Sequence, residues 1–146
     1  MSYEELFPNI EPLLRKDRWL DQFSGPSLKY FVKAYWRFGT LSWVEDWRGR
    51  ILGVCLVKLF DDIKLMDERR IHVPRGTYLM IEHFAAAGRN TMRKLFEQVY
   101  GMWGKREFIL WDRQGITEFS GPRVYTWDQF LKLARRVAGV KLEEKG

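Results

Sequence analysis

One stretch of sequence decides the fold: Tyr78–Trp111, which reads YLMIEHFAAAGRNTMRKLFEQVYGMWGKREFILW. It begins with an apolar run of strand length, Tyr78–Ala86, and ends with a shorter one, Phe108–Trp111. Between the two runs, Asn90 or Thr91 is suited to cap a helix. The apolar residues that follow keep helical spacing, namely Met92, Leu95, Phe96, Val99 and Met102–Trp103. A strand, a helix and a second strand in this order predict a βαβ unit with two parallel strands.

Two more strands are predicted upstream of this unit. Thr40–Trp47 is rich in aromatic and β-branched residues, and Ile51–Phe60 is a long apolar run. The polar turn Asp46–Arg50 joins them and contains Gly49 where a positive φ is favoured, so the pair is typical of a β-hairpin. Antiparallel strands followed by a parallel pair predict a mixed sheet. The charged segment Asp61–Arg70 fits either a loop or the rim of a twisted strand.

Helices are predicted before and after the strands in the sequence. Ser2 begins a capping pattern for a short opening turn, and Asn9–Leu20 fits a helix capped by its asparagine. Helical spacing continues over Ser27–Gly39, and a last helix is capped by Thr126 and ended by Gly139. The predicted fold is α/β (α+β), with two N-terminal helices, a mixed sheet containing a central βαβ unit, and a C-terminal helix.

Length and composition indicate one globular domain over residues 1–146. With 46% hydrophobic residues, the 146-residue chain can bury a core. Cys55 is the single cysteine, which excludes an internal disulfide, and His72 has no partner at ligand spacing, so no metal site is expected. No apolar run reaches the roughly 18 residues of a membrane-spanning helix. The first ten residues, MSYEELFPNI, are acidic and unlike a signal peptide, so a cytoplasmic location is expected.

The charge pattern gives little support for a nucleic-acid partner. The 25 Lys and Arg residues exceed the 19 Asp and Glu residues, for a net charge of +6, but they are dispersed and acids interleave with them. No recognition helix, zinc finger or RNA-binding signature is present. The seven tryptophans are expected mainly to pack in the core, although a tryptophan beside an arginine is also suited to stack on a base.

The hairpin phrase Ser42–Val54, the strand and loop Tyr78–Gly88 and the strand Phe108–Asp112 together resemble the GNAT acyltransferase superfamily. They match its second to fifth strands and its cofactor helix, over roughly residues 40–115. A narrower similarity is to the RTX toxin-activating lysine acyltransferases. The fourth strand of those enzymes also has a hydrophobic residue, an acid and an aromatic residue before a short apolar run that closes on glycine, as here around Glu82.

The resemblance implies an acyl-CoA-dependent N-acyltransferase that transfers an acetyl or longer acyl group to an amine, on a small molecule or a protein lysine. In such enzymes acyl-CoA enters the gap between the fourth and fifth strands, so the backbone from Phe84 to Ala86 would pair with the pantetheine. The pyrophosphate would lie at the start of the following helix, on Gly88, Arg89, Asn90 and Thr91. In this chain these residues stand where the family has a longer glycine-rich loop. The alternative interpretation is that they form an ordinary loop before an ordinary helix and bind no cofactor.

The resemblance also assigns catalytic candidates. Glu82 stands where the toxin-activating enzymes have an acid with a proposed catalytic role, as a base for the amine, and His83 is a second candidate. Because adjacent strand residues alternate, Glu82 and His83 are predicted to point to opposite faces. A polar pair, for instance Glu82 with an arginine, is the alternative. The histidine that those enzymes have near their N-terminus has no counterpart, since this chain has only His72 and His83. Tyr125 is a candidate acid for the leaving thiolate, with aromatic packing as its alternative.

A second hypothesis is a GNAT-like domain that has lost catalysis and binds a protein or a nucleic acid, for example as an accessory protein of a phage or mobile element. The aromatic excess, 16% of the chain, motivates it, because Trp, Tyr and Arg are enriched at binding hot spots. An unrelated α+β domain is the third possibility.

Overall fold

The computed structural model describes residues 1–61, 76–104, 106–112 and 121–139 of the chain. Its helices are α1 (Tyr3–Leu14), α2 (Arg18–Asp21), α3 (Gly25–Arg37), α4 (Arg89–Trp103) and α5 (Trp127–Ala138). Its strands are β1 (Leu41–Glu45), β2 (Ile51–Phe60), β3 (Tyr78–Ala86), β4 (Glu107–Asp112) and β5 (Gly121–Tyr125). The segment Asp61–Arg70, left open from the sequence, lies outside the described residues apart from Asp61.

The five strands form one mixed sheet in the order β1-β2-β3-β4-β5. β1 with β2, β2 with β3 and β4 with β5 are antiparallel, whereas β3 and β4 are parallel. The predicted mixed α/β character, hairpin and βαβ unit are therefore confirmed. The sequence reasoning missed β5, whose GPRVY sequence contains a glycine and a proline and has no clear alternation.

The prediction of a helix over Asn9–Leu20 was wrong. Instead α1 begins after Ser2, whose Oγ accepts a hydrogen bond from the backbone N–H of Glu5 at 3.2 Å. The helix runs through two prolines to bury one apolar stripe: Tyr3, Leu6, Phe7, Ile10 and Leu14. Asn9 lies inside α1 and donates its side-chain N–H to the carbonyl of Glu5 at 2.9 Å. Burial of that stripe outweighs the local cost of proline within a helix.

The start of α3 is also earlier than predicted, at Gly25 instead of Ser27. The Oγ of Ser24 accepts a hydrogen bond from the backbone N–H of Ser27 at 3.2 Å. Pro26 occupies the first turn, where its missing N–H costs no intrahelical bond. Gly25 and Pro26 thus form the first turn of the helix.

Two helix layers cover the two faces of the sheet. The N-terminal layer, α1–α3, packs on one face over a core that includes Leu6, Ile10, Leu28, Val32, Val54 and Leu56. The C-terminal layer, α4 and α5, packs on the other face over a core that includes Val57, Leu79, Ile81, Leu95, Phe96 and Phe130. Each layer removes one face of the sheet from water, which is the usual solution for a sheet with a parallel pair.

The start of α4 lies unusually close to the sheet, at Gly53 of β2. A Cβ built on Gly53 would be 2.6 Å from Cγ2 of Thr91 and 2.9 Å from Cδ1 of Leu95. Only glycine leaves room for this contact. The helix begins at Arg89 with Gly88 as its N-cap residue, two or three positions before the predicted cap, Asn90 or Thr91. The buried side chain of Thr91 is engaged with the sheet and does not cap the helix.

The C-terminal helix matches the prediction. Thr126 caps α5 through a reciprocal capping box with Gln129, and Gly139 ends it with a φ of 66°. Within the part of the chain described, no helix has both the length and the apolar character needed to cross a bilayer.

Candidate active site

A β-bulge in β3 places Glu82 and His83 on the same face of the sheet. Leu56 of β2 is opposite His83 and the next residue, Val57, is opposite Ile81, so Glu82 is an extra residue in β3. The expectation that Glu82 and His83 point to opposite faces was therefore wrong. Both side chains contact the N-terminal layer, because the extra residue interrupts the alternation of the strand.

Glu82 lies in a buried polar cluster with Tyr35 and Lys58. The hydroxyl of Tyr35, on α3, donates a hydrogen bond to Oε2 of Glu82. Nζ of Lys58, on β2, lies 3.7 Å from the same oxygen. All three residues are buried. This arrangement corresponds to the polar-pair alternative left open from the sequence, with a lysine where an arginine was suggested.

His83 pairs with a carboxylate from the N-terminal layer. Its Nδ1 lies 2.6 Å from Oδ2 of Asp17, in the connection between α1 and α2. The ring of Phe31, on α3, meets the imidazole edge-on at a centroid distance of 6.1 Å. The bulge thus brings together two titratable side chains, each with its own partner from α1–α3 or β2.

The parallel pairing of β3 and β4 stops at the bulge. Tyr78 pairs with Glu107 and the register continues to Ile81 with Leu110. Beyond this point β3 continues over Glu82–Ala86, and among the described residues this stretch has no β4 partner. Trp111 and Asp112, the last residues of β4, pair with β5 and with no other strand among the described residues. Among the described residues, no strand pairs with the backbone of Glu82–Ala86 on the side that faces β4, and this stretch is called the open edge below.

The N-terminus of α4 follows this open edge directly. Gly88, Arg89 and Asn90 are exposed, and the N-cap residue Gly88 makes no side-chain capping bond. The first turn contains no acidic residue. The guanidinium of Arg93 donates to Oδ1 of Asn90 at 2.6 Å. Uncapped N–H groups, the positive end of the helix dipole and two arginines together make this a favourable environment for an anion.

The side chain of Arg89 extends towards the end of α5, the other helix of its layer. A Cβ built on Gly139, at the end of α5, would lie 3.5 Å from Nη2 of Arg89. The guanidinium is thus close to the carbonyl end of α5, where a cation is stabilised by the helix dipole.

The remaining predicted residues lie in two places. The half-buried residues Phe84 and Ala86 pack on the C-terminal layer, where Phe84 stacks on Phe96 at a centroid distance of 5.2 Å. Tyr125 is the last residue of β5 and pairs with Phe108, at the opposite end of β4 from the open edge. It is half-buried and packs against the core of the C-terminal layer. The side chains of Glu82 and His83 lie on the α1–α3 side of the sheet, whereas α4 begins on the opposite side and Tyr125 lies near the start of β4.

Three partners of Glu82 and His83 were missed by the sequence reasoning. Tyr35 lies in the segment Ser27–Gly39, which was predicted only as a helix, and Asp17 had no assigned role. Their contacts with β3 join residues 47 and 66 positions apart, so no local pattern signals them. Lys58 does carry a signal, because a lysine inside the apolar run Ile51–Phe60 requires a charge partner once the strand is buried.

No metal site is evident from the described residues. No group of three His, Cys, Asp or Glu side chains among them is arranged to hold a metal ion, and His72 lies outside that part of the chain. Cys55 is fully buried, and burial raises the pKa of its thiol well above the ordinary value. Cys55 thus packs as a small buried apolar side chain.

A separate cleft of ≈ 450 Å³ lies at the far end of the sheet. Its lining residues are Thr77, Arg106, Glu107, Thr126, Trp127 and Asp128. None of the predicted site residues lines it.

Comparisons of the chain with protein-family models, with curated proteins and with solved structures found no match in any of the three.

Proposed function

We propose that this protein is an acyl-CoA-dependent N-acyltransferase of the GNAT type, which acts on an amine in the cytoplasm. The observation that carries the proposal is the end of the β3–β4 pairing at Ile81 and Leu110, directly before an uncapped helix start. A parallel pair that opens beside a helix N-terminus provides both an edge for an extended chain and a site for phosphate.

The residues at this edge suit acyl-CoA as the acyl donor. The backbone of Phe84–Ala86 would pair with the amide groups of the pantetheine. The N–H groups from Gly88 to Thr91 would receive the pyrophosphate, with Arg89 and Arg93 supplying positive charge. Gly88 has extended backbone geometry, and a Cβ built on it would meet nothing within 4 Å, so a bulky phosphate group can approach.

The polar groups at the bulge suit the chemistry of acyl transfer. Glu82 and His83 stand at the first positions of the open edge, next to where the thioester would lie. An ammonium must lose a proton before its nitrogen attacks a thioester carbon, so a nearby base is required. Tyr125 is too far along the sheet to protonate a thiolate at this point, and the mechanism proposed here does not include it.

A thermal-shift titration tests the proposal. Acetyl-CoA and octanoyl-CoA would be compared with ATP at matched concentration and ionic strength. A ligand of the native state raises its stability by about 2.7 kcal/mol at a hundred times its Kd, which is a shift of several degrees for a domain of this size. A shift with at least one acyl-CoA but not with ATP supports the proposal. No shift with any acyl-CoA contradicts it.

Substitutions of Gly88 test where the phosphates bind. Gly88→Asp supplies a favourable N-cap residue, so the free protein should be as stable as the wild type or slightly more stable. The carboxylate would nevertheless repel a pyrophosphate and reduce the acyl-CoA shift. Gly88→Asn is the matched control, since it caps the helix without a charge and should keep most of the shift. Equal shifts in the two variants would place the phosphates elsewhere.

A second candidate function, binding without catalysis, is favoured by the tip of the β1–β2 hairpin. Trp47 is 85% exposed, and the guanidinium of Arg48 lies 4.5 Å from the centre of its ring. Asp46 closes this turn by accepting hydrogen bonds from the backbone N–H groups of Arg48 and Arg50. An exposed tryptophan beside a guanidinium is suited to stack on an unpaired base.

Titration with single-stranded DNA of random sequence tests this candidate. Binding that weakens with salt and is lost in Trp47→Ala would support it. Tyr30→Ala is the matched control, because Tyr30 is 81% exposed but lies on α3. No binding at low salt, or equal binding by both variants, would exclude a nucleic-acid role for the tip.

A further inference from the structure

The cleft at the far end of the sheet lies where three strands and a helix meet. β3 and β4 are parallel and both begin there, whereas β5 is antiparallel to β4 and ends there, directly before α5. The backbone N–H of Glu107 donates a hydrogen bond to the carbonyl of Thr77 at 3.3 Å, and Phe108 of β4 pairs with Tyr125 of β5. The walls of the cleft therefore come from elements that the sheet itself holds in place.

The residues that line the cleft differ in their exposure. Arg106 is half-buried and Trp127 is 5% exposed, and these two residues are called the floor. The other lining residues are exposed and are called the rim: Thr77, Glu107, Thr126 and Asp128. Tyr100 of α4 stacks on the indole of Trp127 at a centroid distance of 5.1 Å, so the floor is joined to the core of the C-terminal layer.

The guanidinium of Arg106 is anchored at one nitrogen and unpartnered at another. Its Nε donates a hydrogen bond to the carbonyl of the buried residue Gly76 at 2.9 Å. Its Nη1 is buried and makes no hydrogen bond within the part of the chain that the structure describes. A guanidinium only donates hydrogen bonds, and a buried donor without an acceptor costs free energy. Because Arg106 lines the cleft, a ligand bound there can supply the acceptor, and a carboxylate has the matching planar geometry.

The two carboxylates of the rim restrict the charge of such a ligand. Neither Glu107 nor Asp128 forms an ion pair with Arg106 in the described structure. A simple anion would be attracted by one guanidinium and repelled by two carboxylates. The start of α5 offers an anion no compensation, because Thr126 and Gln129 already cap it. A ligand that carries an ammonium beside its carboxylate satisfies both signs of charge.

We propose that this cleft binds a free α-amino acid, with its carboxylate on Arg106 and its ammonium between Glu107 and Asp128. A volume of ≈ 450 Å³ is within the range of small-molecule sites and accommodates an amino acid with its side chain. The hydroxyls of Thr77 and Thr126 lie at the rim and are able to donate to the same carboxylate.

This amino-acid site is separate from the site proposed for acyl-CoA. The cleft lies at the start of β3, whereas the start of α4 follows the end of that strand. β3 has nine residues, which at roughly 3.3 Å each separate its two ends by about 25 Å. The bound amino acid is therefore a further ligand of the protein and not the acceptor of the acyl transfer proposed above.

NMR titration of the nitrogen-labelled wild-type protein tests the proposal. Each standard L-amino acid is added separately at millimolar concentration, and the backbone amide signals are followed. At least one amino acid should bind saturably, with its largest shifts on amides of the floor and the rim. The amides from Gly88 to Thr91 should not shift, since they belong to the proposed pyrophosphate site. Saturation by no amino acid, or shifts confined to residues outside the cleft, would overturn the proposal.

Two analogues of the amino acid that binds separate its two charged contacts without any variant. The decarboxylated amine lacks the group that meets Arg106, and the deaminated acid lacks the group that meets Glu107 and Asp128. Each should bind about tenfold or more weakly than the amino acid, because each leaves a charged side chain of the cleft without its partner. Equal binding by the acid would indicate a simple anion site, and equal binding by the amine a simple cation site. Either result would overturn the proposal.

A variant of the floor tests the carboxylate contact. Arg106→Gln should reduce the affinity for the amino acid about tenfold or more. Arg37→Gln is the matched control, because Arg37 is exposed in the last turn of α3 and should leave the affinity unchanged. Equal affinities of these two variants would overturn the assignment of the carboxylate to Arg106.

A variant of the rim keeps the proposal testable if Arg106→Gln fails to fold without its bond to Gly76. Glu107→Gln combined with Asp128→Asn should weaken binding of the amino acid and strengthen binding of the deaminated acid, since the repulsion is removed. Glu97→Gln on the exposed face of α4 is the control and should change neither affinity. An unchanged preference for the amino acid over the acid in the double variant would overturn the role of the rim carboxylates.

Discussion

Nζ of Lys58 lies 3.7 Å from Oε2 of Glu82, and the two side chains are only 10% and 5% exposed. They come from neighbouring strands, and the hydroxyl of Tyr35 closes the cluster from the α3 side. Burying one charge of such a pair without the other costs much more than the pair itself contributes. The cluster therefore ties the N-terminal layer to the strand that bears the candidate site.

Lys58→Met should be strongly destabilising, because it leaves the buried carboxylate of Glu82 without its cation. The expected loss is about 3–5 kcal/mol in the free energy of unfolding, measured by urea denaturation. Lys58→Met combined with Glu82→Gln should recover part of this loss. Lys94→Gln on the exposed face of α4 should change stability by less than about 0.5 kcal/mol. A Lys58→Met loss as small as that of the control would show that the pair is not coupled.

Gly53→Ala should destabilise the protein by about 1–3 kcal/mol, because its Cβ would overlap the side chains of Thr91 and Leu95. Gly101→Ala provides the opposite control. A Cβ at Gly101 meets nothing within 4 Å, and the residue lies within α4. Alanine there should stabilise by roughly 0.5–1 kcal/mol. The same sign of change in both variants, measured by thermal or urea unfolding, would contradict the close packing of α4 on β2.

Cys55 should resist thiol reagents in the native protein. Burial raises its pKa, so the reactive thiolate fraction at neutral pH is far below that of a free cysteine. The rate of reaction with a disulfide reagent should therefore follow unfolding of the chain. In urea, one thiol per chain should react promptly. Rapid labelling without denaturant would show that β2 opens to solvent in the native state.

Asp46→Asn should lower stability only where the carboxylate is ionised. Partial desolvation opposes ionisation of Asp46, but hydrogen bonds from Arg50 and Arg48 outweigh it, so its pKa is lowered. A lowered pKa stabilises the folded state above the ordinary aspartate pKa of about 3.9, and this contribution is lost as pH falls through the folded-state pKa. The Tm difference between wild type and variant should therefore be constant near neutral pH and should decrease towards zero in acid. A difference that persists in acid would exclude the charge as its cause.

The elements predicted correctly were those with a local cause. The Thr126 capping box, the Gly139 end of α5 and the turn around Gly49 each depend on residues within a few positions. The apolar runs likewise predicted β2 and β3 at their observed bounds. Local chemistry of this kind is visible in the sequence because the interacting residues are close along the chain.

The remaining features depend on contacts between distant segments. The Asn9 prediction was wrong because asparagine is a good cap only where a helix begins, and the buried stripe from Tyr3 to Leu14 sets the beginning earlier. The bulge at Glu82 shows only in the register with β2. Alternation, the best rule for a strand, therefore predicted opposite faces for Glu82 and His83, whereas both contact the N-terminal layer. The pairing of His83 with Asp17 likewise needs the tertiary fold to bring α1–α2 onto β3.

Glu82 is the bulged residue of β3, and the register between β3 and β2 skips it. Leu79 and Ile81 before it pack on the C-terminal layer, and so do Phe84 and Ala86 after it. Deleting Glu82 would therefore leave these four side chains on the face they now occupy and would turn β3 into a strand of uninterrupted alternation. A chain one residue shorter would satisfy the same apolar core, but it would take this carboxylate away from the buried ammonium of Lys58. The extra residue of β3 thus serves the polar contact between β2, β3 and α3, and not the apolar packing.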